Sequence, residues 1–554
     1  MEYSIPDRQT AVQLVGPDEL RLNKSKEVFR PGAHQILGKV EAVGLCFSDL
    51  KLLKQFTGHV RKGPVVSGLE AEVLEAIPSY VPNEAPTVPG HEVVVRIAAV
   101  GKGVKRVSVG GRYLVQTDYR WLRTARSNAA FGYNFEGALQ EYVLMDERVI
   151  TSPEGESMLL GASEDLSAAS IALAEPWACV EQAYAAEERT TVKQGGKMLV
   201  VMEAEVDEGI LETFLAGQPQ PGKIDKSGQW SVVSGQEKRS QISDIRSQEG
   251  GEYDDVIYFG SNVETVETLF GRVANYGLIN IVLCGGKLAR EAVLPVGKVH
   301  YQGMRIVGTT GSDPAASMKL IPASGEYREG DVIDVVGAGG PMGVMHVVRG
   351  LCQGVAGVKV LGGDLDDRRL AMLDKIARGP AEKNQVSYRS YNPSKAPPEE
   401  KGTYIVIMAP AVKLAAAAVQ NGAAGAIINI FAGIPATVEG EIDLQSYIEK
   451  GMYFIGTSGS SLADMKTMLA KVQTGQIDTN VSVAAIGGLN GAIEGIRAIE
   501  KQLVPGKILI YPACKGLGLV PLEDLAREMP EVASMLVDGM WTLEAEEKLL
   551  AMYS

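Results

Sequence analysis

Cys46 in "GLCFSDL", His91 and Glu92 in "PGHEV", and Glu175 in "LAEPWACVEQA" are side chains of the types that bind zinc. A thiolate, an imidazole and a carboxylate suit that ion, and three protein ligands with one open position characterise a catalytic rather than a structural site. Zinc so held acts as a Lewis acid toward an oxygen in its open position. Taken singly, each residue has a plainer reading: a small buried hydrophobe, a core imidazole, an acid opening a helix before Pro176.

A second chemistry is written in "GDVIDVVGAGGPMGVMHVVRGL". The apolar run Val332 to Val336 leads directly into Gly337, Gly339, Gly340, Pro341, Met342 and Gly343, and an apparent helix follows. Glycines permit a sharp turn and close backbone approach, and the helix N-terminus offers free N–H groups to a pyrophosphate. "GVKVLGG" then ends at Asp364, whose carboxylate can accept from a ribose diol and repels a 2′-phosphate, which favours NAD over NADP. Ala409, Thr457 and Ser458 complete the candidate cofactor-binding set.

The elements that must carry these residues repeat. "DDVIYFG", "YGLINIVLCGG" and "GMRIVGTTGS" recur in the same order, at a constant offset, as "TYIVIMA", "AGAIINIFAG" and "GMYFIGTSGS". Helix-like stretches, "VETVETLFGRVAN" and "AVKLAAAAVQNGA", lie between them. This is the pattern of two parallel sheets wrapped by helices. In the first copy, "GKMLVVMEAEVDEGI" puts Met202, Glu203, Ala204 and Glu205 where the glycines should stand. Their side chains block backbone approach, and Glu203, Glu205, Asp207 and Glu208 set like charge against a phosphate, so this copy is expected to bind no dinucleotide by the usual route. The following polar, turn-rich "AGQPQPGKIDKSGQWSVVSGQEKRSQISD" makes the copy look partly remodelled.

Before these sheets, "HQILGKVEAVGLCFSDL", "HEVVVRIAAVGKGVKRVSVGGRYLVQ" and "GALQEYVLM" read as short, twisted strands of a β-rich region. At 554 residues the chain accommodates several domains. Its net charge of -14 argues against nucleic acid or an anionic membrane as partner, and in favour of small molecules. Five cysteines form no CxxC pair, no stretch is apolar for long enough to span a bilayer, and "MEYSIPDRQTAVQLVG" has no signal-peptide pattern. A reducing, cytoplasmic setting is therefore expected.

In order along the chain, "GLCFSDL", "PGHEVVVRIAAVGKGVKRVSVGGRY", "GALQEYV", "LAEP", "GAGGPMG" and "GKILIYP" resemble the zinc-dependent medium-chain dehydrogenase/reductase family, in its sorbitol dehydrogenase and sorbose-1-phosphate reductase-like branch. The resemblance implies an α/β protein in which a GroES-like catalytic domain, residues 1–185 completed by about 490–554, accompanies two tandem Rossmann-type domains. These are a degenerate one at 186–325, which ordinary members lack, and an NAD-binding one at 326–489. It implies zinc on Cys46, His91 and a carboxylate, Glu92 or Glu175, with Ser48 passing the substrate's proton outward. "YRWLRTARSNAAFGYNFEG" has no cysteine, so one catalytic zinc and no structural zinc are expected. Asp49, Glu175 and Glu181 suit a hydroxylated substrate, and Arg120, Arg123 and Arg126 are either a sugar-phosphate contact or solvated surface. The implied activity is hydride transfer between NAD(H) and a polyol or sugar, with sugar-phosphate reduction as a neighbour. The alternative is a non-catalytic NAD-binding scaffold or sensor. The two sheets are expected to pair within one chain, giving a monomer that mimics a dimer, or else a homodimer. The acidic tail, "PLEDLAREMPEVASMLVDGMWTLEAEEKLLAMYS", reads as short packing helices.

Overall fold

Alternating Val, Ile and Leu in the first region produce strands with a buried face, and these assemble around Gln35–Gly44, whose residues are almost all buried. The computed structural model describes residues 4–228, 251–457 and 459–553. The chain divides into two units, Met1–Cys179 with Ser460–Ser554, and Val180–Gly459.

In the first unit one sheet runs in the order Leu159–Gly161, Arg112–Val115, Glu92–Val100, Gln35–Gly44, Lys507–Ile510, Val483–Gly487 and Val520–Pro521, with Tyr142–Asp146 also pairing to Gln35–Gly44. Val40, Val43, Val93, Val95, Ile97, Ile508 and Ile510 form its core. Each such buried aliphatic side chain contributes about 1.5–3 kcal/mol. Register then fixes chemistry: Gly44 lies opposite Glu92 on one side and Leu509 on the other. Val483–Gly487 runs parallel to Lys507–Ile510. The chain thus re-enters this unit at Ser460, ahead of the residue near 490 expected from the sequence, because that parallel strand pair is inseparable from the sheet.

In the tail, helix Leu543–Met552 does more than pack. Its buried Glu546 accepts from the N–H groups of Ala168 and Ala169, 2.5 and 2.9 Å away, and so caps the helix Ala168–Ala185, which carries Glu175.

The second unit holds two parallel sheets. One orders Lys223–Gly228, Lys197–Met202, Tyr253–Phe259, Val273–Val282 and Arg305–Thr309. The polar stretch read as turn-rich includes a real edge strand, Lys223–Gly228, whose polar side chains suit a half-exposed border. The other sheet orders Ser387–Tyr391, Lys359–Gly363, Val332–Val336, Tyr404–Ile407, Ile427–Ile430 and Tyr453–Ile455, which in chain order is 3-2-1-4-5-6, the doubly wound dinucleotide-binding arrangement. Ala292–Leu294 and Gly440–Ile442 form an antiparallel pair that joins the two, and one apolar core runs through both. Among the described residues no helix is long and apolar enough to cross a membrane.

Candidate functional site

Cys46 caps the helix Phe47–Gln55, while His91 and Glu92 begin the neighbouring strand. One carboxylate locks these two segments together. Asp49 accepts from the backbone N–H of Cys46 at 3.0 Å and of Gly90 at 3.3 Å, and its Oδ1 lies 3.2 Å from Nδ1 of His91. Burial works against the charged imidazole, yet Asp49, with Tyr133 and Cys46, holds His91 well above its ordinary range. Orienting a ligating imidazole through its other nitrogen is the usual task of such an acid.

The ligand atoms of Cys46, His91 and Glu92 all lie within 4.8 Å of one another. Glu92 is fully buried, with Oε1 2.5 Å from Nζ of Lys507 and Oε2 buried without a partner among the described residues. A Cβ on Gly44 would sit 2.2 Å from Oε2, so only glycine lets this carboxylate in. Donor types, convergence and the orphaned oxygen all fit a zinc ion. Glu175 is buried alongside: burial first, then Glu92, pushes its carboxyl up to about 7 against the pull of His91 and Lys507. It lies outside the three-residue convergence. Ser48, half-buried, follows in the first turn of the helix that Cys46 caps.

Lys507 escaped the sequence reading, because "GKILIYP" marks a strand but not the partner of its lysine, 415 residues away from Glu92. Besides Glu92, its ammonium donates to the Leu45 carbonyl at 3.1 Å. Burial disfavours its charge, and Glu92, Cys46 and Glu175 more than restore it. Glu181, expected near a hydroxylated substrate, instead faces the buried Arg349 at 2.9 and 3.1 Å. Of the three arginines, Arg120 donates to the Ser460 carbonyl at 2.6 Å and Arg126 to that of Gly58 at 3.1 Å, and all three are exposed.

In the second unit the glycine turn is tight. Gly337 has φ +90°, with Ala409 beside it, and a Cβ on Gly343 would meet the Gly337 carbonyl at 2.5 Å. Gly340 caps the helix Pro341–Cys352 without any side-chain bond, and Met342 lies in its first turn, so the first N–H groups remain available. Asp364 accepts from Gly339 N–H at 2.9 Å and Asp366 N–H at 3.0 Å, fixing the turn to the end of the next strand. Thr457 follows the last strand and its hydroxyl is buried without a partner among the described residues, whereas Ser458 lies outside them.

The corresponding turn of the first sheet is filled. Glu203 accepts from the Tyr258 hydroxyl at 2.5 Å and the Thr265 hydroxyl at 2.7 Å. Its carboxylate is spent on the protein.

A Cys–His–Glu cluster suited to a metal thus lies in the β-rich unit, and parallel sheets make up the other. Comparison with known proteins agrees: residues 32–154 match the alcohol dehydrogenase GroES-like domain. Over that domain the chain is similar to alcohol dehydrogenases. It is 36% identical over 102 residues to an L-sorbose 1-phosphate reductase of Klebsiella pneumoniae, covering 18% of this chain and 24% of that protein. It is 27% identical over 410 residues to a mannitol-1-phosphate 5-dehydrogenase of Aliivibrio fischeri, covering 66% and 89%. Two other matched relatives are spanned over only 57% and 33% of their length. The fold is similar to that of 2R,3R-butanediol dehydrogenase from Bacillus subtilis, with a TM-score of 0.51 and 15% identity over 91% of this chain and 99% of that one.

Proposed function

We propose that this protein is a zinc-dependent oxidoreductase that transfers hydride between NAD(H) and the secondary alcohol or ketone of a polyol or sugar, including sugar phosphates. The observation that carries the reading is that ligand atoms of Cys46, His91 and Glu92 lie within 4.8 Å of one another, with one Glu92 oxygen buried and unpartnered among the described residues. These three would hold one catalytic zinc, with Glu175 buried beside them, and no structural zinc accompanies it. Zinc bound there supplies Lewis acidity toward an alcohol oxygen.

The remaining roles fall to the chain's own residues. Asp49 holds the His91 ring in place, and Lys507 pairs with Glu92 inside the protein. Ser48 accepts the hydroxyl proton and passes it outward, while the hydride leaves the same carbon centre for nicotinamide. Gly337, Gly339, Gly340 and Gly343 cradle the pyrophosphate with Pro341, Met342, Ala409 and Thr457 around them. Asp364 supports NAD over NADP through its charge. Phosphorylated sugars belong in the substrate class because two relatives are named for them and because Arg120, Arg123 and Arg126 supply exposed cations.

Absorbance in the NADH band, with NAD and then NADP across polyols, ketoses and their phosphates, with and without a zinc chelator, tests the reading. Chelator-sensitive turnover with NAD is expected. Zinc-free protein silent across the panel overturns it in favour of a non-catalytic NAD-binding scaffold.

A further inference from the structure

The pairing that joins the two parallel sheets has a symmetry of its own. Ala292 lies opposite Ile442, Val293 opposite Glu441, and Leu294 opposite Gly440. Gly440 follows Ala292 by 148 positions, and Ile442 follows Leu294 by the same 148. Exchanging the copies therefore turns the first pair into the third and returns the middle pair to itself. This reciprocity, i to j and j to i, defines an isologous two-fold contact.

The same offset relates Gly308 to Gly456 and His300 to Ile448. A Cβ on Gly308 would meet Ile448 at 2.7 Å, and one on Gly456 would meet His300 at 2.9 Å. It also relates Gly297 to Gln445 and Leu288 to Ala436: Gly297 packs on Ala436, and Gln445 accepts from Leu288 N–H at 2.9 Å. The core follows suit, since Leu294 and Ile442, Val296 and Leu444, Val299 and Tyr447, Met304 and Met452, and Ile306 and Phe454 are counterparts that share one buried cluster. Among the counterparts that differ, one pair shares a buried acid. Arg305 in the first copy and Tyr453 in the second both bind Glu188, the guanidinium at 2.6 and 2.9 Å and the phenol at 2.7 Å. Arg305 also donates to the Gly456 carbonyl at 3.3 Å. A second copy of the Tyr453 sheet lacks that guanidinium, so the interface favours the unlike pair.

We infer that the first sheet is a built-in partner subunit: a two-fold, self-complementary interface closed within one chain, which leaves this face of the second sheet unavailable to another molecule. The inference does not depend on the hydride-transfer reading.

Val293→Cys/Glu441→Cys, oxidised with diamide and resolved on a non-reducing gel beside the wild type, tests it. Directly opposed strand residues have the spacing a disulfide needs. A link inside a chain of single-chain mass is expected, and a dimer through another surface that keeps the internal link supports the same conclusion. A link between chains, or none, overturns the inference. Glu441→Cys alone gives an independent arm. Position 441 faces its own counterpart, so two second sheets paired across molecules would bring two copies of it together. A Glu441→Cys dimer linked by disulfide would overturn the inference, and its absence is the expected result.

Discussion

At the scale of single residues, the proposed zinc site depends on one acid outside its ligand set. Asp49 ties the Cys46 segment to the Gly90–His91 segment, so Asp49→Asn is expected to lower zinc affinity by about 10- to 100-fold in a chelator competition while the melting temperature changes little. Cys46→Ser removes a ligand outright and is expected to lose both zinc, by elemental analysis, and turnover. Elsewhere, His346 is fully buried with Nδ1 2.5 Å from the Tyr184 hydroxyl, and burial followed by the nearby Arg349 pushes it down to about 3 from its ordinary 6.5. A base depressed in the folded state stabilises the fold above pH 6.5, and this contribution fades as pH falls from there toward 3. His346→Gln should therefore flatten the loss of stability between pH 6.5 and 4.5, where a single proton is worth at most about 1.4 kcal/mol per pH unit. Parallel pH–melting curves for both proteins check this; superimposable slopes would remove His346 from the account.

At the scale of elements, what was legible in the sequence was what is local. Cys46, the His91–Glu92 pair and the glycine turn announce themselves because strand, turn and helix follow one another within a few residues. The Lys507–Glu92 pair, the Glu546 cap and the re-entry at Ser460 did not, because each depends on register between segments hundreds of residues apart. Glu203 lies between these cases: its presence in place of glycine was visible, but its bonds to Tyr258 and Thr265 were not. The glycine turn yields a direct test. Gly343→Ala places a methyl 2.5 Å from the Gly337 carbonyl, so the helix must shift, and the NADH dissociation constant by fluorescence titration should rise about tenfold or more, at a stability cost of about 1–3 kcal/mol. Between the two sheets, Arg305→Met strands the carboxylate of Glu188, only 4% exposed, and should cost about 3–5 kcal/mol in urea unfolding. A cost below 1 kcal/mol would mean that Tyr453 alone satisfies Glu188.

At the scale of the molecule, each unit is organised around a closure. In the second unit two parallel sheets complete one another. In the first, the sheet that holds Glu92 is closed by Lys507–Ile510, and the helix that bears Glu175 is capped by Glu546. Both closing elements come after Val180–Gly459 in the chain. Glu546→Ala would leave two helix N–H groups and the Tyr511 hydroxyl without their acceptor, and a drop of about 2–4 kcal/mol in the first unit's unfolding free energy is expected by calorimetry. The split also has a kinetic meaning. During synthesis Cys46, His91 and Glu92 leave the ribosome early, but the lysine that pairs with Glu92 follows it by 415 residues, roughly 20–85 s later at ordinary elongation rates. Through that interval the nascent protein carries a thiol and a carboxylate awaiting their enclosure.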